Sequence, residues 1–511
     1  MRWWKQYVRI LRRSRIALVV IALGCRGAGG LLTKHQSKPE LASPVEQTSE
    51  VARSETAASP LKSNSSDTQL VSHEEPDGLV EHTARQPGPP AEGVETDTIA
   101  LKRAFGEGTV GLPELEQIAL ANHPSIRQSE ASVNKARGFR EQVGLRPNPS
   151  LGYNGSQLAD KTTDQHTVYL SQDFVSGGKR GKNRNVMDQE IQGRMWEVEA
   201  QRRRVLTDVR QRYYQLLGAQ RKQEMATDFL LIANKAVDIA NRRWKAGEDA
   251  QTDLLQAEIQ REQFVVTQRQ TVVLRRGAWR QLAAAVGTPE QPLTEVGGEL
   301  STDPEPAEPE VDLPRILADS PEIHAAEFYV RRAQALWDRQ TVQAIPNISV
   351  FVGGGWDRGT NHSLLNTQVG APLPLYNQNQ GNISAAYAEY CRAMQNLQRV
   401  RLSLRARYFQ TAMDHDVATE AVRGLVKDIL PRSVKNLKVT EKAREAGEIG
   451  SLQVLLVRRT YFDNSQSLID AQVNLSNAQA LIDGCLLSGA MDDPGDTTQD
   501  SSLRDHALQL Q

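Results

Sequence analysis

The chain has 511 residues, 61 Lys and Arg against 62 Asp and Glu, and a formal net charge of −1. That balance gives no electrostatic footprint for nucleic acid. With 39% hydrophobic and 5% aromatic residues, the composition is thin for a globule with a deep core and suits long helices that bury a narrow seam. The three cysteines (Cys25, Cys391 and Cys485) form no C-x-x-C pair and the nine histidines are scattered, so neither a disulfide framework nor a metal centre is indicated.

Arg2, Lys5, Arg9, Arg12, Arg13 and Arg15 precede an apolar run from Ile16 to Leu23, which ends at Gly24-Cys25. A basic segment, a short apolar segment and a small residue make an export signal over 1–25. The run is too short to span a bilayer. Ala22-Leu23-Gly24-Cys25 is similar to a bacterial lipoprotein cleavage box with Ala22 where Leu is usual. Acylation at Cys25, an ordinary cleaved signal and a retained anchor are the three readings. Residues 26–107, rich in Ser, Thr, Glu, Pro and Gly, have no apolar period and read as a disordered tether.

A repeat organises the remainder. Leu112-Pro113 opens a short helix, Asn122-His123-Pro124 breaks it, and a second helix runs to about Val143. His123 reads as a helix-end residue. After Pro147-Asn148-Pro149 come two strand-like stretches, 149–158 and 165–174. In the second, Val168, Leu170 and Phe174 alternate with Tyr169, Ser171 and Asp173. Period-two patterning suits a strand with one wet and one greasy face. Gly177-Gly178-Lys179-Arg180 departs from the Walker pattern and reads as a bend into a helix. That helix is expected from about Asn183 to Ala246, about 64 residues or ~96 Å, a rod that needs partners along its length.

Gly247 then stops it, because glycine takes a left-handed conformation without a Cβ clash. A return helix is expected from about Thr252 to Val286, with Thr252 as its cap. Leu230, Ala233, Val237, Ala240 and Trp244 before the turn, and Leu255, Ile259, Val266 and Val273 after it, keep one heptad frame and predict a hairpin seam. These elements make a first repeat over 108–294. An acidic Pro-rich linker is expected over 295–312.

The same order then restarts over 313–490. Leu313-Pro314, Ser320-Pro321 and Ile345-Pro346-Asn347 echo the first half. Strand-like stretches cover 347–357 and 363–373, and Tyr376 to Gly381 stand where the glycine bend stood. Pro431 marks a kink at a join between helix segments. Gly447-Glu448 repeats Gly247-Glu248 at an offset of 200 positions, with Ser451 as the cap and Leu455, Phe462, Ile469, Val473 and Ala480 as the seam. A repeat at fixed offset decides the fold. The tail, 491–511, is polar and reads as disordered.

In this order and duplicated, Pro147-Asn148-Pro149, the Gly177-Gly178 bend and the paired turns resemble the TolC-type outer-membrane efflux factors over about Leu112 to Leu487. Ile429-Leu430-Pro431 leading to Ala446-Gly447-Glu448 resembles the heavy-metal efflux branch. The resemblance implies a mainly α fold with a small β part. Long antiparallel helices would form an α-barrel tunnel, and four strands per chain would join a trimeric twelve-stranded outer-membrane β-barrel. It also implies a homotrimer in outer-membrane lipid, meeting a periplasmic adaptor and an inner-membrane pump, with the tips at Gly247, Glu248, Gly447 and Glu448 as docking points. The acidic ring of well-known members would fall at Gln453 and Leu456, and is absent there. Asp253 stands in the first copy where Gln453 stands in the second, as a pore constriction or as a helix-start residue.

The resemblance implies a passive duct for metal ions or small toxic molecules; such a duct needs no catalytic group, and no catalytic order, metal cluster or cofactor motif stands out. A type I secretion duct and a non-transporting envelope lipoprotein are the alternatives. In cells given a tagged fatty acid the protein is expected to take up label, and Cys25→Ala to take up none; label on both, or on neither, would refute acylation at Cys25.

Overall fold

The computed structural model describes residues 109–492 apart from 160, 161 and 303. The signal over 1–25 with Cys25, the tether over 26–107 and all but the start of the tail over 491–511 lie outside the described residues.

Two short helices come first, α1 (Leu112–Asn122) and α2 (Pro124–Gln142). Strands β1 (Ser150–Ser156) and β2 (Gln165–Phe174) follow, then the rod α3 (Lys179–Lys245) and its return α4 (Gln251–Val286). The second half repeats the plan. It has α5 (Pro309–Asp319), α6 (Pro321–Thr341), β3 (Ile348–Asp357) and β4 (His362–Gly370). Then come α7 (Gln380–Gly424), a π turn (Leu425–Ile429), α8 (Leu430–Glu445) and α9 (Ser451–Asp483). At 67 residues, α3 is ~100 Å long.

The four strands form one antiparallel sheet in the order β1-β2-β3-β4. Its register puts Leu151 beside Leu170, Leu170 beside Val352, and Val352 beside Thr367. One face therefore carries Leu151, Tyr153, Val168, Leu170, Phe174, Ile348, Val352, Trp356, Leu365 and Val369, all exposed. The other carries Asn154, Thr167, Ser171, Asp173, Ser349, Asp357, Asn366 and Gln368, with Tyr169 and Phe351 among them.

Cross-repeat hydrogen bonds join the sheet to the rods. Ser176 Oγ donates to the Pro346 carbonyl, and Lys179 Nζ donates to Asn347 Oδ1 at 3.0 Å. Burial pushes the Lys179 ammonium below its ordinary range, and the nearby Arg339 guanidinium adds to that. Gly177 and Gly178 make the bend at φ +68°. In the second repeat Asn379 does so at φ +63°, held by Nδ2 bonds of 2.9 Å to the Gln340 carbonyl and Oε1.

Two matching cores sit where the short helices cross the rods: Leu115, Ile118, Val209, Tyr213 and Leu282 in the first repeat, and Ile316, Ile323, Leu404, Tyr408 and Ile482 in the second. Segment 295–312 is more than a linker. Val110 N–H donates to the Glu295 carbonyl at 3.0 Å, Val296 is buried, and α5 already begins at Pro309. Val296 supplies the apolar contact that the acidic composition hides.

The expected seam needs correction in the first repeat. Leu255, Ile259, Val266 and Val273 are exposed, while Leu254, Ala257, Phe264 and Thr271 are buried. The apolar surface of α4 is wider than one seam, and its hairpin partner covers only one flank. Ala233 and Ala240 are buried as the frame predicts, but Trp244 is exposed. In the second repeat Phe462 and Ala480 are buried. Phe462 meets Phe229 of α3 with ring centroids 4.9 Å apart and Phe264 of α4 at 5.1 Å, which ties the two hairpins together. Phe462→Ala should therefore cost about 3–5 kcal/mol, read as a lower midpoint of denaturant unfolding followed by far-UV circular dichroism.

Candidate functional site

Both rods end in the same hydrogen-bonded turn. At the first tip Gly247 has φ +73°, its N–H donates to the Trp244 carbonyl at 3.0 Å, and Glu248 N–H donates to the Arg243 carbonyl at 3.0 Å. At the second, Gly447 has φ +78°, its N–H donates to Arg444 at 3.1 Å, and Glu448 N–H donates to Ala443 at 2.9 Å. These paired bonds satisfy the last helical carbonyls and define a Schellman ending. A Cβ on either glycine would meet nothing within 4 Å, so the left-handed backbone alone selects glycine there. Gly247, Glu248, Gly447 and Glu448 are all exposed, which leaves both tips open to a partner.

The return helices start without the expected caps. The N-cap of α4 is Ala250, with no side-chain bond, and that of α9 is Gly450. Thr252 and Ser451 lie inside the first turns, two residues and one residue past the respective N-caps. Asp253 also lies in the first turn of α4 and is half-buried. There its carboxylate favours the positive end of the helix dipole.

The residue that joins the tips is Asp249, which sequence reasoning passed over. Its side chain is 8% exposed, and Oδ2 accepts from Arg444 Nη2 at 2.7 Å. Arg243 Nε lies 3.3 Å from the same oxygen. Asp249 of the first hairpin is thus gripped by an arginine of its own turn and by one of the second hairpin. Just above, Gln260 Nε2 donates to the Leu455 carbonyl at 3.2 Å. A signal for this pair does exist: at the repeat offset Asp249 corresponds to Ile449, and Arg444 to Trp244. The copies diverge where they acquire opposite charges.

Among the described residues no group of three or more His, Cys, Asp or Glu is placed to hold a metal ion. No helix among them is long and apolar enough to cross a membrane. Among the described residues, the four strands form the sheet, and one of its faces is mainly apolar and exposed.

The family model of the outer membrane efflux proteins matches residues 115–288 and 313–485, one match for each repeat. This chain belongs to the outer membrane efflux protein family and is an outer-membrane efflux channel. It is similar to the cobalt-zinc-cadmium resistance protein CzcC of Cupriavidus metallidurans, with 23% identity over 355 residues, 70% of this chain and 84% of that one. The nickel and cobalt resistance protein CnrC of the same organism is 27% identical over 298 residues, 57% of this chain and 70% of that one. Among solved structures, the open state of the Neisseria gonorrhoeae MtrE outer membrane channel superposes with a TM-score of 0.61 at 18% identity, covering 75% of this chain and 90% of that one.

Removing one partner of a largely buried charge pair strands the other. Arg444→Ala should therefore loosen the tips by roughly 1–3 kcal/mol, read as faster amide exchange over 243–256 and 444–456. Asp249→Ala added to Arg444→Ala should speed exchange by less than the sum of the two single effects; strictly additive effects, or exchange unchanged in Arg444→Ala, would show that the pair holds nothing.

Proposed function

We propose that three copies of this chain close into one duct that carries metal ions out of the cell. It would receive them from a periplasmic adaptor and an inner-membrane pump docked at the tips. The observation that carries this reading is the sheet, with one face mainly apolar, the other mainly polar, and outer edges on β1 and β4. In lipid, backbone groups left open along an edge cost several kcal/mol each. Pooling strands from three chains removes every edge and turns the apolar face to lipid and the polar face to a lumen. The stripe Leu255, Ile259, Val266 and Val273 on α4, and Leu402, Phe409, Met413 and Val417 on α7, are exposed in the single chain and would be covered by neighbouring copies.

The cargo is the finer step. CzcC and CnrC are named for resistance to cobalt, zinc, cadmium and nickel, and the similarity to them supports metal ions as cargo. Acylation of Cys25 would add a lipid anchor that the barrel itself does not need. In the trimer, Glu248 and Glu448 flank the docking turns, and Asp253 contributes negative charge just inside the tip.

Chemical cross-linking in detergent should yield a trimer, and a stable monomer alone would refute the assembly. Gly247→Val with Gly447→Val forces β-branched residues into a left-handed conformation, at roughly 1–2 kcal/mol each. That variant should insert and trimerise normally yet fail to restore cobalt or zinc resistance to a strain lacking the wild-type gene. Full restoration would remove the tips as the docking site. Asp253→Asn should lower the cation preference of channels in a planar bilayer, and an unchanged preference would leave Asp253 a helix-start residue.

A further inference from the structure

The polar sheet face carries an arrangement that conduction alone does not require. The four strands contain no Lys or Arg, and their acidic residues are Asp173 and Asp357. Both lie on the polar face, where Asp173 pairs with Ser349 and Asp357 with Gln165. They stand eight residues apart along β2, about 26 Å at ~3.3 Å per residue. Each is held by a neutral donor: Ser349 Oγ donates to Asp173 Oδ1 at 2.6 Å, and Gln165 Nε2 donates to Asp357 Oδ2 at 3.2 Å. Neither charge is neutralised within the sheet.

Between these levels lie two rings, Tyr169 and Phe351, with centroids 4.7 Å apart and planes 31° from parallel. Tyr169 is flanked in register by Gly152 on one side and Gly353 on the other. A Cβ on Gly152 would stand 2.5 Å from the Tyr169 hydroxyl oxygen and 2.8 Å from Cε1. One on Gly353 would stand 3.0 Å from Tyr169 Cβ and 3.2 Å from Phe351 Cε1. The missing side chains let the rings lie along the sheet instead of standing out from it. A ring laid on the wall turns one π face outward, and that face is the negative part of its quadrupole.

We propose that this face is a cation-selective wall: a belt of flat-lying Tyr169 and Phe351 rings between acidic rungs at Asp173 and Asp357, with Gly152 and Gly353 setting the bore. The ligands it favours are small inorganic and organic cations, attracted by unpaired carboxylates and by ring faces in a confined path. Anions meet no fixed positive charge along the strands. The inference rests on the duct reading, since only a closed barrel makes this face a lumen.

The test uses full-length protein carrying Arg444→Ala, so that the tips do not limit current, in a planar bilayer under a potassium chloride gradient. Discrete channels with a cation-selective reversal potential are expected. Asp173→Asn with Asp357→Asn should reduce the potassium-to-chloride permeability ratio by roughly threefold or more. Gly152→Ala should push the Tyr169 ring off the wall and lower the single-channel conductance, and Tyr169→Ala added to it should restore the conductance. The restoration separates bore from fold, because a misfolded strand would not be rescued by a second truncation. If no protein opens channels, the duct reading fails and the wall with it. If channels open but selectivity ignores both aspartates, or conductance ignores Gly152→Ala, the wall alone is wrong.

Discussion

The structure depends on one unmet requirement, the backbone hydrogen bonds along the outer edges of β1 and β4. A four-stranded sheet with exposed Leu151, Leu365 and Val369 on one face is a poor object in water, and its open edges make it a worse one in lipid. In the proposed ring, strands from other copies would end both difficulties. Closure of that proposed ring would also fix what lies below: every chain would send two hairpins the same way, and the rods would pack side by side around a common axis. The Ser176, Lys179 and Asn379 contacts at the bend carry the order of the sheet into the order of the helices.

The rods inherit the same incompleteness. A helix of 67 residues is stabilised by packing along its length far more than by propensity. Within one chain α3 packs against α4, α6 and α9, which leaves the α4 and α7 stripes bare. Such stripes are too long and too regular to be scattered surface residues. These bare stripes support the proposal that the chain is one sector of a larger cylinder.

Much of this was visible in the sequence, for definite reasons. Period-two alternation marked four strands within a few residues of their ends, since one face meets a solvent that rejects charge. Duplication marked the tips, since a left-handed glycine leaves the same trace twice. The seam at Leu255, Ile259, Val266 and Val273 was misplaced because periodicity finds an apolar stripe without naming which neighbour covers it. Val296 was hidden in an acidic segment because one buried residue makes no period. Side-chain chemistry favours Thr252 as a cap, whereas the turn geometry places the N-cap at Ala250. Asp249 was invisible for a different reason, as its partner Arg444 lies 195 residues away and only folding brings them together.

The two hairpins differ in a way that bears on how the tips meet. In the first repeat α3 is unbroken from the sheet to the turn. In the second the same path passes through α7, one π turn at Leu425–Ile429 and α8, with Pro431 just beyond. Proline removes the donor that an α-helix would offer to the carbonyl four residues back, and a π turn is one way to absorb the change. The second hairpin therefore carries a π turn and a proline at a level where the first is continuous α-helix. Arg444 lies beyond that π turn and Asp249 at the end of the unbroken rod, so their contact joins the interrupted arm to the continuous one. Duplication laid down two like hairpins, and Pro431 with the Asp249–Arg444 pair makes them unequal along the arm and at the tip.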